Sequence, residues 1–234
     1  MNVHSKQHAL IVLGGHQPSL GVLEHVSPLA TVVCADSGLD HAIALGLHPD
    51  VVIGDFDSAS VAGVDKALAA GSTIIPFTPD KDQTDAELAL HYVLDHHFSD
   101  ITVVWGGGDR IDHVLGVMAA LAHPRLARVD SVTAWVGSDQ LHVLHAHTVI
   151  DLHHLPGTTV SLLPLGSTTP RVSTVGLQWE LTDDELMAHT ARGVSNVVQQ
   201  SPTRIALHHG VVGVVIPDAL SQSPSSTQTV RSRP

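Results

Sequence analysis

Two carboxylates one residue apart follow a short apolar run in the segment Val51-Val52-Ile53-Gly54-Asp55-Phe56-Asp57-Ser58. In an extended chain alternate side chains share a face, so Asp55 and Asp57 would point together while Phe56 points to the opposite side. Two anions held that close repel each other unless a cation lies between them, and Mg²⁺ is a hard cation that takes oxygen ligands. Because Gly, Asp and Ser also form ordinary turns, this segment alone leaves a metal site and a plain turn equally open.

A second acidic loop, residues 80–85, precedes an apolar helical pattern. Thr84 and Glu87 have the spacing of a capping box at a helix start. Asp85 falls in the first turn, where the helix dipole favours an anion or a bound phosphate–metal assembly. Capping alone leaves the other charged residues of the loop unexplained. A lysine among carboxylates, Lys81, suits a polyphosphate that arrives with its metal.

A glycine-rich loop, Gly106-Gly107-Gly108-Asp109-Arg110, separates a predicted strand from a predicted helix that begins at Ile111. Consecutive glycines let backbone N–H groups approach an anion closely, and Arg110 adds a planar guanidinium. A triple glycine alone is also typical of a tight turn. Three such loops at the carboxyl ends of predicted strands favour a ligand site, since open α/β sheets bind ligands at that edge.

The elements that must position these loops alternate between short apolar strands and helices in the first half of the chain. Strands are predicted at 9–13, 31–35, 51–53, 73–75 and 101–105, and helices at 38–45, 61–70, 85–96 and 111–122. Continuously apolar strands that alternate with helices indicate a mostly parallel sheet covered on both faces. The sequence therefore predicts an α/β N-terminal domain with a Rossmann-like sheet over residues 1–128.

From residue 129 the pattern changes to short strands separated by turn residues. Strands are predicted at 131–136, 141–144, 148–152, 159–163, 171–174, 177–181, 204–207 and 211–216. That spacing predicts a C-terminal all-β sandwich or barrel over residues 129–218. Residues 219–234 are rich in Ser, Thr, Gln and Pro, so we expect a disordered tail there.

Composition narrows the class of protein. A hydrophobic content of 43% with 15% charged residues is sufficient for packed cores. A formal net charge of −12 argues against nucleic acid as a partner. The single cysteine, Cys34, rules out an intrachain disulfide and is expected in the core. We find no secretory leader and no run of membrane-span length, so we expect a cytoplasmic protein without a membrane partner. The nineteen histidines are expected mostly at the surface.

The order of the motifs resembles that of the thiamine pyrophosphokinase family. In the first half the matching segments are Ala35-Asp36-Ser37-Gly38, Gly54-Asp55-Phe56-Asp57-Ser58, Asp80-Lys81-Asp82-Gln83-Thr84-Asp85 and Gly107-Gly108-Asp109-Arg110-Ile111-Asp112-His113. In the second half they are Val175-Gly176-Leu177-Gln178-Trp179-Glu180-Leu181 and Arg192-Gly193-Val194-Ser195-Asn196. The family commonly has glycine at position 37 and an amide at position 40, where this chain has Ser37 and Asp40.

The resemblance implies that the diphosphate of ATP passes to thiamine in a Mg²⁺-dependent homodimer, giving thiamine diphosphate and AMP. The residues that it assigns to catalysis are Asp55, Asp57, Asp85, Arg110 and Asp112, with Asp55, Asp57 and Asp85 as the Mg²⁺ ligands. The residues assigned to the nucleotide are Asp36, Ser37, Gly38, Lys81, Asp82, Thr84 and Arg110. Those assigned to thiamine are Ser195, Asn196 and Trp179. For Asp112 a structural role in the first helical turn stays open, as does a core or interface role for Trp179.

Three other functions fit part of the pattern. A related diphosphokinase could act on a pterin alcohol instead of thiamine. A metal-dependent phosphatase could use one of the carboxylates of Asp55-Phe56-Asp57 as a nucleophile. A regulatory module could keep the loops and bind nucleotide without turnover. The phosphatase hypothesis leaves the glycine–arginine loop and the β-rich second half without a role.

Overall fold

The computed structural model describes residues 7–78, 80, 82–108 and 110–222, together with the backbone of residues 229–232. Its internal contacts divide the chain into two compact units. The first extends to Ala120 and includes 134–137, and the second comprises 121–133 and the chain from Ser138 onward.

The first unit is a parallel sheet with helices between its strands. Its strands are β1 (His8–Val12), β2 (Thr31–Ala35), β3 (Val51–Gly54), β4 (Thr73–Pro76) and β5 (Asp100–Trp105), and its helices are α1 (Gly38–Ala44), α2 (Val61–Ala69), α3 (Asp85–Asp95) and α4 (Ile111–Leu121). Pairing is parallel throughout, in the order β4-β3-β2-β1-β5. Strands β1, β2, β3 and β5 are buried at every position except the first of β1, β2 and β5, which explains why their sequences are mostly apolar. The predicted Rossmann-like sheet is confirmed.

The second unit consists of antiparallel strands. They are β6 (Ser131–Val136, which crosses the boundary between the units), β7 (Asp139–His145), β8 (Thr148–Leu152), β9 (Thr159–Leu165), β10 (Arg171–Val175), β11 (Asp184–Glu185), β12 (Asn196–Val197), β13 (Thr203–His209), β14 (Val211–Ile216) and β15 (Thr229–Ser232). One group has the order β12-β9-β14-β7 and the other β11-β10-β13-β8-β15. Strands β7 and β13, one from each group, contact each other. The predicted all-β C-terminal domain is confirmed.

The boundary between the units differs from the predicted one at residue 128. The end of β6 belongs to the first unit because Gly137 N donates a hydrogen bond of 2.9 Å to Trp105 O. The Trp135 ring also lies against His25, with ring centroids 4.7 Å apart. The chain therefore returns to the α/β unit once after first leaving it.

The predicted strand over 177–181 is wrong. Leu177 forms a single antiparallel bridge with Val198, and a turn follows. A side chain takes the place of a neighbouring strand as hydrogen-bond partner there, since Glu180 Oε1 accepts a hydrogen bond of 2.7 Å from Gly176 N. An apolar alternation does not distinguish a strand from a loop whose backbone is satisfied by side chains.

The predicted disorder of residues 219–234 is wrong for two segments. A 3₁₀ turn forms at Ala219–Ser221, where Ala219 is buried. Residues 229–232 form β15, which pairs antiparallel with β8. An edge strand gains backbone hydrogen bonds whatever its side chains are, so composition alone did not reveal it. Residues 223–228 and 233–234 lie outside the described part of the chain.

None of the helices in the described residues is both long and apolar enough to span a membrane. Cys34 is a free, buried thiol, as expected, and burial raises its pKa. The expectation of exposed histidines has exceptions in the described residues: His142, His145 and His154 are buried.

Two histidines, His154 in a buried and His8 in a half-buried position, are expected to make the stability of this fold depend on pH. Burial lowers the pKa of His8 and of His154 below the ordinary value of 6.5. His154 Nδ1 is 3.1 Å from Gln222 Oε1, and its buried Nε2 has no hydrogen-bond partner among the described residues. The unfolded chain therefore binds protons more readily than the folded one below pH 6.5.

We expect the melting temperature to fall as the pH drops from about 7 toward about 5, because unfolding then takes up protons. Thermal unfolding followed by circular dichroism over that range measures it. His154→Gln should reduce the slope, because the titrating group is gone. A melting temperature that is independent of pH would contradict this prediction.

Candidate active site at the carboxyl edge of the parallel sheet

A cavity of about 650 Å³ opens at the carboxyl edge of the parallel sheet. Its walls come from loops that follow the strands: residues 13–15 after β1, 35–37 after β2, 83–86 at the start of α3, and 107–108 after β5. The beginning of α4 closes one side. Two of these loops, at the start of α3 and after β5, were expected at this edge because open α/β sheets bind ligands there.

Three carboxylates meet at the rim of this cavity. One ligand oxygen from each of Asp36, Asp55 and Asp57 lies within 4.8 Å of the others. Asp36 also lines the cavity itself. The chain does not run extended here, as the sequence argument assumed, because Phe56 has a left-handed backbone with φ of 62°. The turn at Phe56 brings the carboxylates together, and Asp57 N donates a hydrogen bond of 3.2 Å to Asp55 Oδ1.

Gly54 allows this close approach. Its φ is 153°, which favours glycine, and a Cβ there would lie 3.2 Å from the Cβ of Asp36. Asp36 in turn has a left-handed backbone with φ of 46°. The loops that follow β2 and β3 therefore touch where they present their carboxylates.

The electrostatics of the cluster suit a cation. The charge of Asp55 is the largest cause that raises the pKa of Asp57, and burial and the charges of Asp36 and Asp85 add to it. Asp36 Oδ2 accepts a hydrogen bond from Ser58 Oγ. Asp36 Oδ1 is buried and has no hydrogen-bond partner among the described residues. Carboxylate oxygens that repel one another, one of them buried and unbonded, fit a hard divalent cation such as Mg²⁺.

Asp85 lies near this cluster but is not one of the three residues whose oxygens converge. It lines the cavity at the first turn of α3, and its charge acts on Asp57. The capping box predicted beside it is present: Thr84 Oγ1 accepts from Glu87 N at 3.3 Å, and Glu87 Oε2 accepts from Thr84 N at 2.8 Å. Asp82 is exposed, and Lys81 lies outside the described residues.

Arg110 and Asp112 face the cavity as a pair. Arg110 Nε donates to Asp112 Oδ1 at 3.2 Å, and its terminal nitrogen donates to Asp112 Oδ2 at 2.5 Å. The Arg110 guanidinium lowers the pKa of Asp112 to about 2. The carboxylate is thus held as an anion that orients the arginine. His113, which no role was assigned to from the sequence, also lines the cavity.

The loop Gly14-Gly15-His16 after β1 was not predicted to belong to the site. His16 N donates to Gly107 O at 3.0 Å, and Gly106 N donates to His16 O at 2.9 Å. A Cβ at Gly15 would lie 2.5 Å from Gly107 O, so the two glycine loops interlock backbone to backbone. A glycine pair that directly follows an apolar strand was the available signal.

Ser37 and Gly38 lie in different surroundings, one at the cavity and the other in the core. Ser37 lines the cavity, and its Oγ lies 2.4 Å from where a Cβ of Gly14 would stand. Gly38 is buried and is not among the described lining residues. A Cβ there would lie 2.1 Å from Val12 O, so Gly38 lets the start of α1 pack on β1.

In the second unit Asn196 joins the Trp179 loop, and Ser195 directly precedes Asn196 in the chain. Asn196 is buried: its Oδ1 accepts from Trp179 N at 3.1 Å and from Val197 N at 2.9 Å, and its Nδ2 donates to Trp179 O at 2.8 Å. Trp179 is 57% exposed, and Ser195 is exposed. Asn196 therefore holds the Trp179 loop, while Trp179 and Ser195 are the groups accessible to a ligand.

We expect Asn196→Ala to lower the free energy of unfolding by about 1–3 kcal/mol, because the Trp179 backbone loses its buried partners. Ser195→Ala is the matched control, since it removes an exposed hydroxyl and should cost less than about 0.5 kcal/mol. Urea denaturation measures both variants. Equal stability of the two would contradict the clamping role of Asn196.

An α/β unit that gathers carboxylates, an arginine and glycine-rich loops at one sheet edge is typical of enzymes that transfer phosphoryl groups. The catalytic domain of thiamin pyrophosphokinase matches residues 24–132, and the vitamin B1 binding domain of thiamin pyrophosphokinase matches residues 146–212. The chain belongs to the thiamine pyrophosphokinase family.

Curated relatives agree along most of the chain. Thiamine pyrophosphokinase 1 of Arabidopsis thaliana is 26% identical over 217 residues, which cover 83% of this chain and 80% of the relative. Thiamine pyrophosphokinase 1 of Oryza sativa subsp. japonica is 23% identical, with 74% of each chain covered.

Solved structures share the fold. Thiamine pyrophosphokinase from Bacillus subtilis superposes with a TM-score of 0.76 at 18% identity, covering 90% of this chain and 98% of that one. Thiamin pyrophosphokinase from Candida albicans gives a TM-score of 0.74 at 19% identity, covering 90% and 89%.

Proposed function

We propose that this chain is a thiamine diphosphokinase, which transfers the diphosphate of ATP to the hydroxyethyl oxygen of thiamine and releases AMP. The observation that carries this proposal is the match of both family domains, catalytic and vitamin B1 binding, in order along the chain. The transferred group carries several negative charges, so catalysis depends mainly on positioning and charge neutralisation. The cavity supplies groups for both.

In this proposal Asp36, Asp55 and Asp57 hold Mg²⁺, and Asp85 adds its charge from the start of α3. The support is the convergence of the three carboxylates and the unbonded, buried Oδ1 of Asp36. Bound Mg²⁺ would neutralise charge on the phosphate oxygens. Asp36 was first assigned to the nucleotide, and its geometry supports a place in the metal site instead.

The residues of the chain then bind and orient the polyphosphate. Arg110, which Asp112 holds in place through two hydrogen bonds, contacts phosphate oxygens. Backbone N–H groups at Gly107 and Gly108 line the same cavity and can donate to an anion. The N-terminus of α3, capped by Thr84, adds its positive dipole end.

For thiamine, we propose the exposed ring of Trp179 and the hydroxyl of Ser195 as contacts. Thiamine carries a cationic thiazolium ring, and cations are attracted to the face of an indole. Asn196 acts indirectly by fixing the Trp179 loop. Loss of Asn196 should therefore raise KM for thiamine while KM for ATP changes little.

The product of the reaction tests this function against the alternatives. Purified protein with ATP, Mg²⁺ and thiamine should give AMP and thiamine diphosphate in equal amounts, measured by chromatography. Release of inorganic phosphate would indicate a phosphatase, and nucleotide binding without turnover would indicate a regulatory module. A parallel reaction with a pterin alcohol should give no diphosphorylated product. Neither the phosphatase nor the pterin kinase gains support from the matching families and relatives.

We also propose that the protein is a homodimer in the cytoplasm. On α4, Ile111 is 72% exposed and Leu115 is 61% exposed, one turn apart, and a second copy could cover this apolar face. Light scattering should give about twice the chain mass of 24.6 kDa. Leu115→Glu should shift the mass toward that of the monomer. A fully active monomeric wild type would refute the dimer.

A further inference from the structure

The segment from Asp55 to Ser60 presents two of the three clustered carboxylates but has little apolar anchorage of its own. Asp57, Ser58 and Ser60 are exposed, whereas the preceding strand β3 is fully buried. Mutual repulsion of the carboxylates tends to push this acidic loop away from Asp36. Contacts from elsewhere must therefore hold it in the arrangement that binds a cation.

Two serines of the acidic loop tie it to the neighbouring chain. Ser58 Oγ donates a hydrogen bond to Asp36 Oδ2, at the carboxylate cluster itself. At the far end of the loop, Ser60 N donates to Asp40 Oδ2 at 2.8 Å, and Ser60 Oγ donates to Asp40 Oδ1 at 2.5 Å. Asp40 lies in the first turn of α1, one turn beyond Asp36. Both ends of the loop are thus attached to the same short stretch of chain.

The Asp40 carboxylate also completes the N-terminus of α2. Ser60 is the N-cap of that helix, and its Oγ accepts from Gly63 N at 3.0 Å. The first turn of α2 has no acidic residue of its own, so Asp40 supplies the anion that the helix dipole favours. Position 63 leaves room for this contact, since a Cβ there would lie 2.6 Å from Asp40 Oδ1.

We propose that Asp40 is a positioning residue, which acts through Ser60 to hold the acidic loop so that Asp55 and Asp57 converge with Asp36. Asp40 is not among the described residues that line the cavity, so it reaches the substrates only through the loop. The inference rests on the proposed function, because it assigns the cluster to a divalent cation. It also accounts for a charge at position 40: the carboxylate accepts two hydrogen bonds, and a neutral amide oxygen can accept only part of them.

Metal affinity, measured apart from turnover, tests the proposal. Mn²⁺ titration of the purified full chain, followed by electron paramagnetic resonance without nucleotide, gives the dissociation constant. Removal of a residue that supports metal ligands weakens binding by about tenfold or more. We expect a loss of that size in Asp40→Ala, and a smaller loss in Ser60→Ala, which removes the hydrogen bond from Ser60 Oγ but keeps the one from Ser60 N. Asp40→Asn keeps an oxygen acceptor and should stay closer to the wild type than Asp40→Ala.

Asp65→Ala is the matched control, since it removes an exposed carboxylate from α2 itself. It should bind Mn²⁺ like the wild type. Wild-type affinity in both Asp40→Ala and Ser60→Ala would overturn the proposal, even if their melting temperatures fell, because Asp40 would then only stabilise α2. If Asp40→Ala failed to fold, Ser60→Ala and Asp40→Asn would decide the question. A wild type that makes AMP but binds no Mn²⁺ at millimolar concentration would overturn the metal site, and with it this inference, but not the diphosphokinase activity.

Discussion

Replacing Asp57 with Asn should abolish turnover while the fold stays intact. The change removes a negative oxygen ligand from the group formed with Asp36 and Asp55. Substitution of a residue that only supports the metal ligands lowers metal affinity or activity by about 10–100-fold. Substitution of a direct ligand should therefore lower activity by at least about 100-fold. Steady-state AMP formation at saturating ATP and thiamine measures the loss.

The stability of the same variant separates a metal ligand from a structural residue. The neighbouring carboxylates raise the pKa of Asp57, which means that they repel its negative charge. Loss of this charge should therefore stabilise the metal-free protein. Asp57→Asn should therefore melt at the same temperature as the wild type or higher without Mg²⁺, and gain less when Mg²⁺ is added. Asp65→Asn, at an exposed position on α2, is the matched control and should retain full activity. Near-normal turnover of Asp57→Asn at millimolar Mg²⁺ would refute the metal assignment.

The second large effect should come from a glycine outside the cavity. A Cβ at Gly38 would lie 2.1 Å from Val12 O and 2.7 Å from Val12 C, both backbone atoms that cannot move without displacing β1. We expect Gly38→Ala to lower the free energy of unfolding by more than about 3 kcal/mol, at the upper end of the cost of overpacking. Denaturant unfolding followed by circular dichroism measures it.

Gly116 provides the control for this change. It also lies in a helix, α4, but a Cβ there would meet nothing within 4 Å. Gly116→Ala should stabilise the protein by about 0.5–1 kcal/mol, because alanine loses less backbone entropy on folding. Similar stabilities of the two alanine variants would show that β1 and α1 are not packed as described.

The parallel sheet and its ligand edge could be predicted from the sequence because they depend on local patterns. Buried parallel strands are mostly apolar, and the spacing of Thr84 and Glu87 indicates the capping box of α3. The carboxyl ends of such strands share one edge, so the loops after β3 and β5 were expected to meet at a site.

Other parts of the site depend on contacts between distant segments. The sequence around Asp36 does not indicate that its carboxylate lies beside those of Asp55 and Asp57, which the turn at Phe56 brings together. Asn196 had the composition of a ligand contact in a polar turn, yet it is buried against the Trp179 backbone, seventeen residues away in the chain. A side chain that hydrogen-bonds to backbone groups far away in the chain follows no regular spacing, so the sequence does not show which residues do this.

The loops after β1 and β5 are joined by hydrogen bonds between main-chain atoms. Every amino acid has these atoms, except that proline lacks the N–H. His16 can therefore change in evolution, to any residue but proline, without losing those hydrogen bonds, whereas Gly15 and Gly106 have no room for a side chain. An exposed position that tolerates variation thus lies next to a glycine of the cavity wall that does not. A library that randomises position 16 should therefore recover many different residues among the folded variants, but few prolines.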